Sequence, residues 1–354
     1  MALEVDIRKK CNTFELKVNF AHDKGILGVL GASGCGKSMT LKCIAGVETP
    51  DEGRIVLDGR VLFDSAEKIN LPPQKRRVGY LFQNYALFPH MTVEQNILAG
   101  AKGTAAEKKE ILHKYLKLFY LTDLKEAYPG SLSGGQQQRT ALARIFASEP
   151  DILMLDEPFS ALDDYLKWQV ELRLHDILKL YKGSILFVSH SRDEIYRFCD
   201  DVIVLSEGEI AADTSKKDLF DAPQTLAASE LSGCKNHSAA AFTAENEIRA
   251  ADWNADLHVL EDNDLHSSKE KLYAGIRAHD IKLLSGREKS VENVFSCTVE
   301  TVIENTFSYI VMVRLPGAAR SLRLELSKSE WDREKRRGDS VLIQLPKEHI
   351  FLVR

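Results

Sequence analysis

Long apolar runs are missing from this 354-residue chain, and so is any excess of positive charge. No stretch approaches the roughly 18 consecutive apolar residues of a membrane-crossing helix, so none is expected. The opening residues, MALEVDIRKK, lack the apolar segment of a secretory signal. Lysine and arginine number 47 against 52 aspartates and glutamates, a formal charge of -5. That balance argues against a broad nucleic-acid surface. Cysteine is scarce: Cys11, Cys35, Cys43, Cys199, Cys234 and Cys297 form no CxxC pair and no zinc-like spacing. Isolated thiols in a chain of this length read as reduced residues of a reducing compartment. What remains, 44% hydrophobic and 28% charged, suits a soluble cytoplasmic protein of two or three domains. If it works at a membrane, another component must hold it there.

Residues 3 to 30 alternate as short strands and end in GILGVL (Gly25 to Leu30), an apolar run that reads as a buried parallel strand. A Gly-rich turn and a helix from Lys37 to Ala45 follow. Gly53 to Phe63 reads as a hairpin turning at Asp58-Gly59, Thr104 to Asp123 as helical, and Val202 to Asp213 as a last hairpin. DILMLDE (Asp151 to Glu157) and SILFVSH (Ser184 to His190) read as buried strands with polar ends. Strands alternating with helices predict an α/β domain over 1–232, with a largely parallel sheet and a helical insert over about 84–150. Residues 233–270 read as a linker or an irregular start to the second domain. Beyond 271, short strands separated by turns predict an all-β, OB-like domain.

GASGCGKS (Gly31 to Ser38) fits G-x-x-x-x-G-K-[ST] between a strand and a helix, the context of a phosphate-binding P-loop. Gly31, Gly34 and Gly36 are expected to permit backbone angles that bulky residues resist. Backbone N–H groups of the loop, with Ala32, Ser33 and Cys35 in it and Met39 just after it, then face the phosphates of ATP. Lys37 is expected on the β/γ-phosphate oxygens and Ser38 on Mg²⁺. Asp156, ending an apolar strand, is expected to hold Mg²⁺, and Glu157 to polarise the attacking water as general base. His190 ends the next strand and is expected at the γ-phosphate. Gln83, whose amide can reach a metal and a water, completes the set.

LSGGQ (Leu132 to Gln136) leads into QQRTALARIFASEPDILMLDEPFSALD. With GASGCGKS before it and SH after it, this order resembles ABC ATPases over roughly residues 1 to 230. The resemblance implies a P-loop NTPase fold and a head-to-tail homodimer with two ATP molecules sandwiched between the protomers. Ser133, Gly134, Gly135 and Gln136 of one protomer then face the ATP held by Lys37 of the other. It also implies a D-loop at Ser160 to Asp163, with Asp163 its acidic member, and an adenine-stacking aromatic, here Phe14. The insert is expected to cup a short helix of a membrane-embedded permease near Tyr85, Leu87, Phe88 and Pro89. That places the chain at the cytoplasmic face of the membrane as a peripheral subunit, linked through the permease to an extracytoplasmic substrate-binding protein.

LPPQKRRVGYLFQNYALFPHMTV resembles the molybdate and sulfate branch of these importers, and residues 288–354 resemble a molybdate-binding Mop-type domain. The chain therefore looks like an ATP-binding subunit of the molybdate importer type, with molybdate at its C-terminal domain. Ser290, Asn293, Ser327 and Lys347 are the ligand candidates there. LPKEH stands where many Mop domains carry a lysine-containing K-A segment. The alternatives are an importer ATPase for sulfate, tungstate, iron or sugar, or a soluble ABC ATPase outside transport. The latter usually fuse two ATPase domains or insert a long coiled coil, and neither feature is visible.

Overall fold

The computed structural model describes residues 2–11, 14–160, 164–260, 271–284, 292–331 and 337–354. The chain divides into two compact units, Met1–Lys216 and Lys217–Arg354.

The first unit begins with β1 (Leu3–Lys10), β2 (Glu15–His22) and β3 (Ile26–Gly31), followed by α1 (Lys37–Ala45). Alternate side chains of β1 and β2 are buried, as expected of strands with one wet face, whereas β3 is buried almost throughout. Next come β4 (Glu52–Leu57), β5 (Arg60–Asp64), β6 (Ile69–Asn70), α2 (Pro73–Arg76) and β7 (Val78–Leu81). The β4–β5 turn is Asp58-Gly59, both with positive φ, the geometry a two-residue hairpin favours. Three helices form the insert: α3 (Val93–Gly100), α4 (Ala105–Leu118) and α5 (Gly134–Ala147). Each starts on a reciprocal capping box, Thr92 with Gln95, Thr104 with Glu107 and Ser133 with Gln136. Then follow β8 (Ile152–Asp156), α6 (Asp164–Leu180), β9 (Ser184–Ser189), α7 (Arg192–Phe198), β10 (Asp201–Ser206) and β11 (Glu209–Ser215).

The sheet runs β6-β5-β4-β1-β2-β11-β10-β3-β9-β8-β7. Neighbours from β10 to β7 are parallel, so β3, β9, β8 and β7 all end at one edge. That edge carries Gly31, Ser189, Asp156 and Leu81, and Lys37, Ser38, Gln83, Glu157 and His190 follow these ends. In open α/β sheets ligands bind in the crevice beyond the carboxyl ends of the strands, which is this edge.

Among the described residues the second unit has two short helices, α8 (Lys216–Asp221) and α9 (Leu226–Leu231), and ten strands. These are β12 (Asn236–Ala244), β13 (Glu247–Ala250), β14 (Ala255–His258), β15 (Leu272–Ile276), β16 (Lys282–Leu284), β17 (Val294–Glu304), β18 (Ser308–Arg314), β19 (Leu322–Ser327), β20 (Ser340–Gln344) and β21 (Phe351–Val353). They form two antiparallel sheets, β14-β13-β12-β15-β21 and β16-β20-β17-β18-β19, around one core whose largest fully buried side chain is Trp253. Asn236 joins the sheets: its amide donates to the Ile276 and Arg323 carbonyls at 3.1 and 2.9 Å and accepts from Arg323 N at 2.7 Å.

The chain divides at Lys216/Lys217, ahead of the 232/233 boundary expected from the sequence. Residues 236–258, within the stretch read as a linker or an irregular start to the second domain, are the meander β12–β13–β14, and the compact unit starts at Lys217. The buried face of that meander is Asn236, Ser238, Ile248, Ala250, Ala255 and Leu257. Four of these six are small or polar, so the period-2 signal is lost in an Ala- and Asn-rich sequence.

Candidate active site

Loop 31–36 turns β3 into α1. Gly34 and Gly36 have φ of 84° and 111°, as the sequence predicts. Gly31 does not adopt such a conformation. It is needed for room: a Cβ there would lie 2.5 Å from Cys35 Sγ and from Leu205 O. The Lys37 side chain is 5% exposed and folds back over the loop, donating to Gly31 O at 2.8 Å and Ala32 O at 2.9 Å. Ser38 and Met39 follow in the first turn of α1, Met39 half-buried against the core.

Asp156 is also 5% exposed. Ser38 Oγ donates to its Oδ1 at 2.9 Å, and the Tyr80 hydroxyl donates to its Oδ2 at 2.8 Å. Burial pushes the Asp156 carboxyl above its ordinary range, against the opposing pull of the Tyr80 and Ser38 hydrogen bonds. Glu157 leaves the strand with φ of 46°, rare for a side chain of its size, and its N–H donates to Val188 O at 3.0 Å. This turn directs its carboxylate toward Lys37 Nζ, 3.9 Å away, and His190 Nδ1, 3.3 Å away. Gln83 Nε2 donates to Ser160 Oγ at 3.3 Å, and that hydroxyl donates to Glu157 O at 3.0 Å. Lys37, Ser38, Gln83, Asp156, Glu157 and His190 thus form one connected cluster at the sheet edge. Chemically it offers a buried ammonium for phosphate oxygens, a hydroxyl and carboxylate for a hard cation, and a second carboxylate beside an imidazole for a water.

The donors Ser38 Oγ, Asp156 carboxylate and Gln83 amide oxygen are all oxygen, the chemistry Mg²⁺ selects. Among the described residues, no group of three or more His, Cys, Asp or Glu side chains gathers to hold a metal. A lone carboxylate with a hydroxyl fits an ion that keeps water and substrate phosphates as its remaining ligands.

Phe14 sits beside this loop. Its ring lies 3.2 Å from where a Cβ on Gly36 would be and 2.8 Å from one on Gly208. Ser133 caps α5, accepting from Gln136 N at 3.3 Å, while Gln136 Oε1 accepts from Ser133 N at 2.8 Å. The Ser133 O–H therefore remains able to donate, whereas the Gln136 side chain is already engaged in the cap. Gly135 is buried, with Val170 3.1 Å from its missing Cβ. Asp163 lies outside the described residues.

In the insert, Tyr85 is buried with its hydroxyl unpartnered, Leu87 is half-buried, and Phe88 and Pro89 are exposed. Arg144 reaches the Tyr85 and Ala86 carbonyls at 3.1 and 2.8 Å and lies 5.1 Å over the Phe88 ring. A cavity of about 310 Å³ opens here, lined by Val47, Pro73, Phe82, Phe88, Gly100 and Arg144 among others.

The C-terminal candidates are not brought together. Ser290 lies outside the described residues. Asn293 is buried, and its amide clamps His258, donating to O and accepting from N at 2.8 Å each. Lys347 pairs with Glu292 at 2.8 Å. Ser327 lies opposite Ser308 near the far end of β17, bonded to Ser329 at 2.9 Å. Asn293 has φ of 57°, a conformation asparagine tolerates better than alanine. Asn293→Ala should therefore cost about 3 kcal/mol, from two lost hydrogen bonds and an unfavourable backbone. Chemical denaturation of the full chain, following the transition of the second unit, measures it; a loss below about 1 kcal/mol would remove the clamp from the account.

Sequence reasoning missed Tyr80. Its partner Asp156 lies 76 positions away, so no local signal could have found it.

The family model for ABC transporters matches residues 16–160. The molybdenum import ATP-binding protein ModC of Aliivibrio fischeri is 34% identical over 322 residues, 88% of each chain. The Fe(3+) ions import ATP-binding protein FbpC of Haemophilus influenzae is 40% identical over 220 residues, 61% of this chain and 62% of that one. Among solved structures, the dimeric post-hydrolysis state of the ATP-binding cassette MJ0796 bound to ADP and Pi covers 61% of this chain and 99% of its own, at TM-score 0.51 and 26% identity.

Proposed function

Because the chain belongs to the ATP-binding subunits of ABC transporters, we propose that it hydrolyses ATP to drive the import of molybdate. The observation that carries the ATPase part is the convergence of Lys37, Ser38, Asp156, Glu157 and His190 on one sheet edge. The molybdate part is supported by the ModC relative of Aliivibrio fischeri, 34% identical over 88% of this chain, and by a second ModC, of Paramagnetospirillum magneticum, 39% identical over 62% of it.

In this reading Lys37 and the loop N–H groups hold the phosphates, and Phe14 stacks on adenine. Ser38, Asp156 and Gln83 would hold Mg²⁺, which when bound neutralises charge on the β- and γ-phosphates. Glu157 takes a proton from the attacking water, and His190 orients the γ-phosphate. Glycines and hydroxyls at a helix start suit an anion, so Ser133 to Gly135 of a second copy complete each site. The relative MJ0796 is a dimer in its ADP-bound state, which supports that arrangement. Among the described residues no helix is long and apolar enough to cross a membrane. We place the chain peripherally at the cytoplasmic face, with a permease helix in the groove beside Phe88 and Arg144. The permease links it to an extracytoplasmic binding protein. Molybdate bound by the second unit would slow uptake by favouring the open dimer.

Uptake by the transporter reconstituted in vesicles tests this. ATP-dependent entry of labelled molybdate, competed by tungstate and indifferent to Fe³⁺, is the expected result. ATP-driven entry of iron or sulfate with no molybdate uptake would replace the substrate and leave the ATPase reading standing.

A further inference from the structure

Asp156 is held at both oxygens, and the two donors differ in kind. Ser38 is part of the nucleotide loop and approaches Oδ1. Tyr80 belongs to the neighbouring strand and approaches Oδ2. In the parallel pair β7–β8, Tyr80 lies opposite Met154, and Asp156, two residues on, shares that face. The phenol is 8% exposed, packed in the main core and set 4.1 Å from the Phe82 ring. Its hydroxyl is therefore fixed by the fold, independently of the loop that must receive the nucleotide.

We propose that Tyr80 is a positioning residue for the metal-binding carboxylate: its hydroxyl fixes Asp156 Oδ2, so that Oδ1 faces Ser38 and the cation. The inference rests on the ATPase reading above. A carboxylate tethered at one oxygen rotates about its terminal bond, whose torsional wells are broad. Tethered at both, its plane is set before any cation arrives. Groups behind a metal ligand commonly change metal affinity or activity by 10- to 100-fold when removed. Tyr80 also stands three residues before Gln83, so the segment that fixes one proposed cation ligand carries another.

Tyr80→Phe keeps the ring and removes the donor. Binding of a fluorescent, hydrolysis-resistant ATP analogue to the full chain is titrated with Mg²⁺ and repeated in chelator. The expected result is a Mg²⁺ midpoint raised by roughly 10- to 100-fold, with affinity in chelator unchanged within about twofold. An unchanged midpoint, or equal weakening with and without Mg²⁺, would assign Tyr80 to packing alone and overturn the proposal. Should Tyr80→Phe misfold, Tyr80→Met keeps apolar volume beside Met154 and carries the same expectation. The wild-type titration separates the two layers: if Mg²⁺ does not tighten its nucleotide binding, the ATPase reading fails as well.

Discussion

Glu157→Gln should lower steady-state ATP hydrolysis by about 10²- to 10⁴-fold, the range a positioned general base contributes, while leaving ATP binding intact. The side chains are nearly isosteric, and the main-chain turn that presents residue 157 is held by its own N–H to Val188 O. What changes is proton affinity and charge. The carboxylate faces Lys37 Nζ at 3.9 Å and His190 Nδ1 at 3.3 Å. An amide cannot accept the water proton. Removing the negative charge also removes repulsion toward the γ-phosphate, so ATP should be held longer and the two-copy complex should accumulate. Phosphate release under saturating Mg-ATP measures the first effect, and size-exclusion chromatography with ATP the second. Turnover within tenfold of wild type would take the base role from Glu157. The partner substitution His190→Ala should also slow turnover, but without accumulating the dimer as strongly, because the carboxylate remains.

Much of this site was legible because its parts are local in sequence. A buried strand, GASGCGKS and a helix are contiguous, and the helix bounds Lys37–Ala45 match the expected ones. The strands ending in Asp156 and His190 announce themselves as apolar runs with polar ends. Less legible were features whose partner is distant. Tyr80 finds Asp156 76 positions along the chain, and nothing near VGYLFQ foretells it. Gly31 was expected to supply an unusual backbone angle, yet it serves a close approach to Leu205, a contact between strands. Asn293 is a ligand candidate from the Mop-type resemblance alone, and the structure bonds its amide to His258 N and O, a partner 35 positions away. The meander 236–258 was hidden by small buried residues, since periodicity is readable only when inward positions are large and apolar.

Arg76 was likewise unreadable, one of three consecutive cations in KRR that resemble a solvated turn, and it carries the largest expected stability effect. Its side chain is fully buried. Among the described residues no carboxylate pairs with it. Its guanidinium instead donates to Leu71 O at 2.7 Å, Cys43 O at 2.8 Å, Ile44 O at 2.9 Å and Asn70 Oδ1 at 2.8 Å. Two of these carbonyls belong to the last turn of α1, the helix whose first turn follows the phosphate loop, so the cation caps the negative end of that helix. Gly46 is glycine here because a Cβ would lie 2.5 Å from Arg76 Nε. Arg76→Met preserves much of the volume and removes all four bonds. Hydrogen bonds to charged groups contribute about 1.5–3 kcal/mol each, partly offset by the guanidinium's own desolvation, so a net loss of about 3–5 kcal/mol is expected. For a unit of this size that lowers its thermal midpoint by roughly 10 °C. Arg76→Lys should recover little, since an ammonium has three donors and no planar fork to serve four acceptors. ATP binds the folded state, so at about 100 times its dissociation constant it should return about 2.7 kcal/mol of the loss. Calorimetry with and without Mg-ATP gives both numbers. A midpoint shift under about 3 °C in the absence of nucleotide would mean that the α1 carbonyls are satisfied without Arg76.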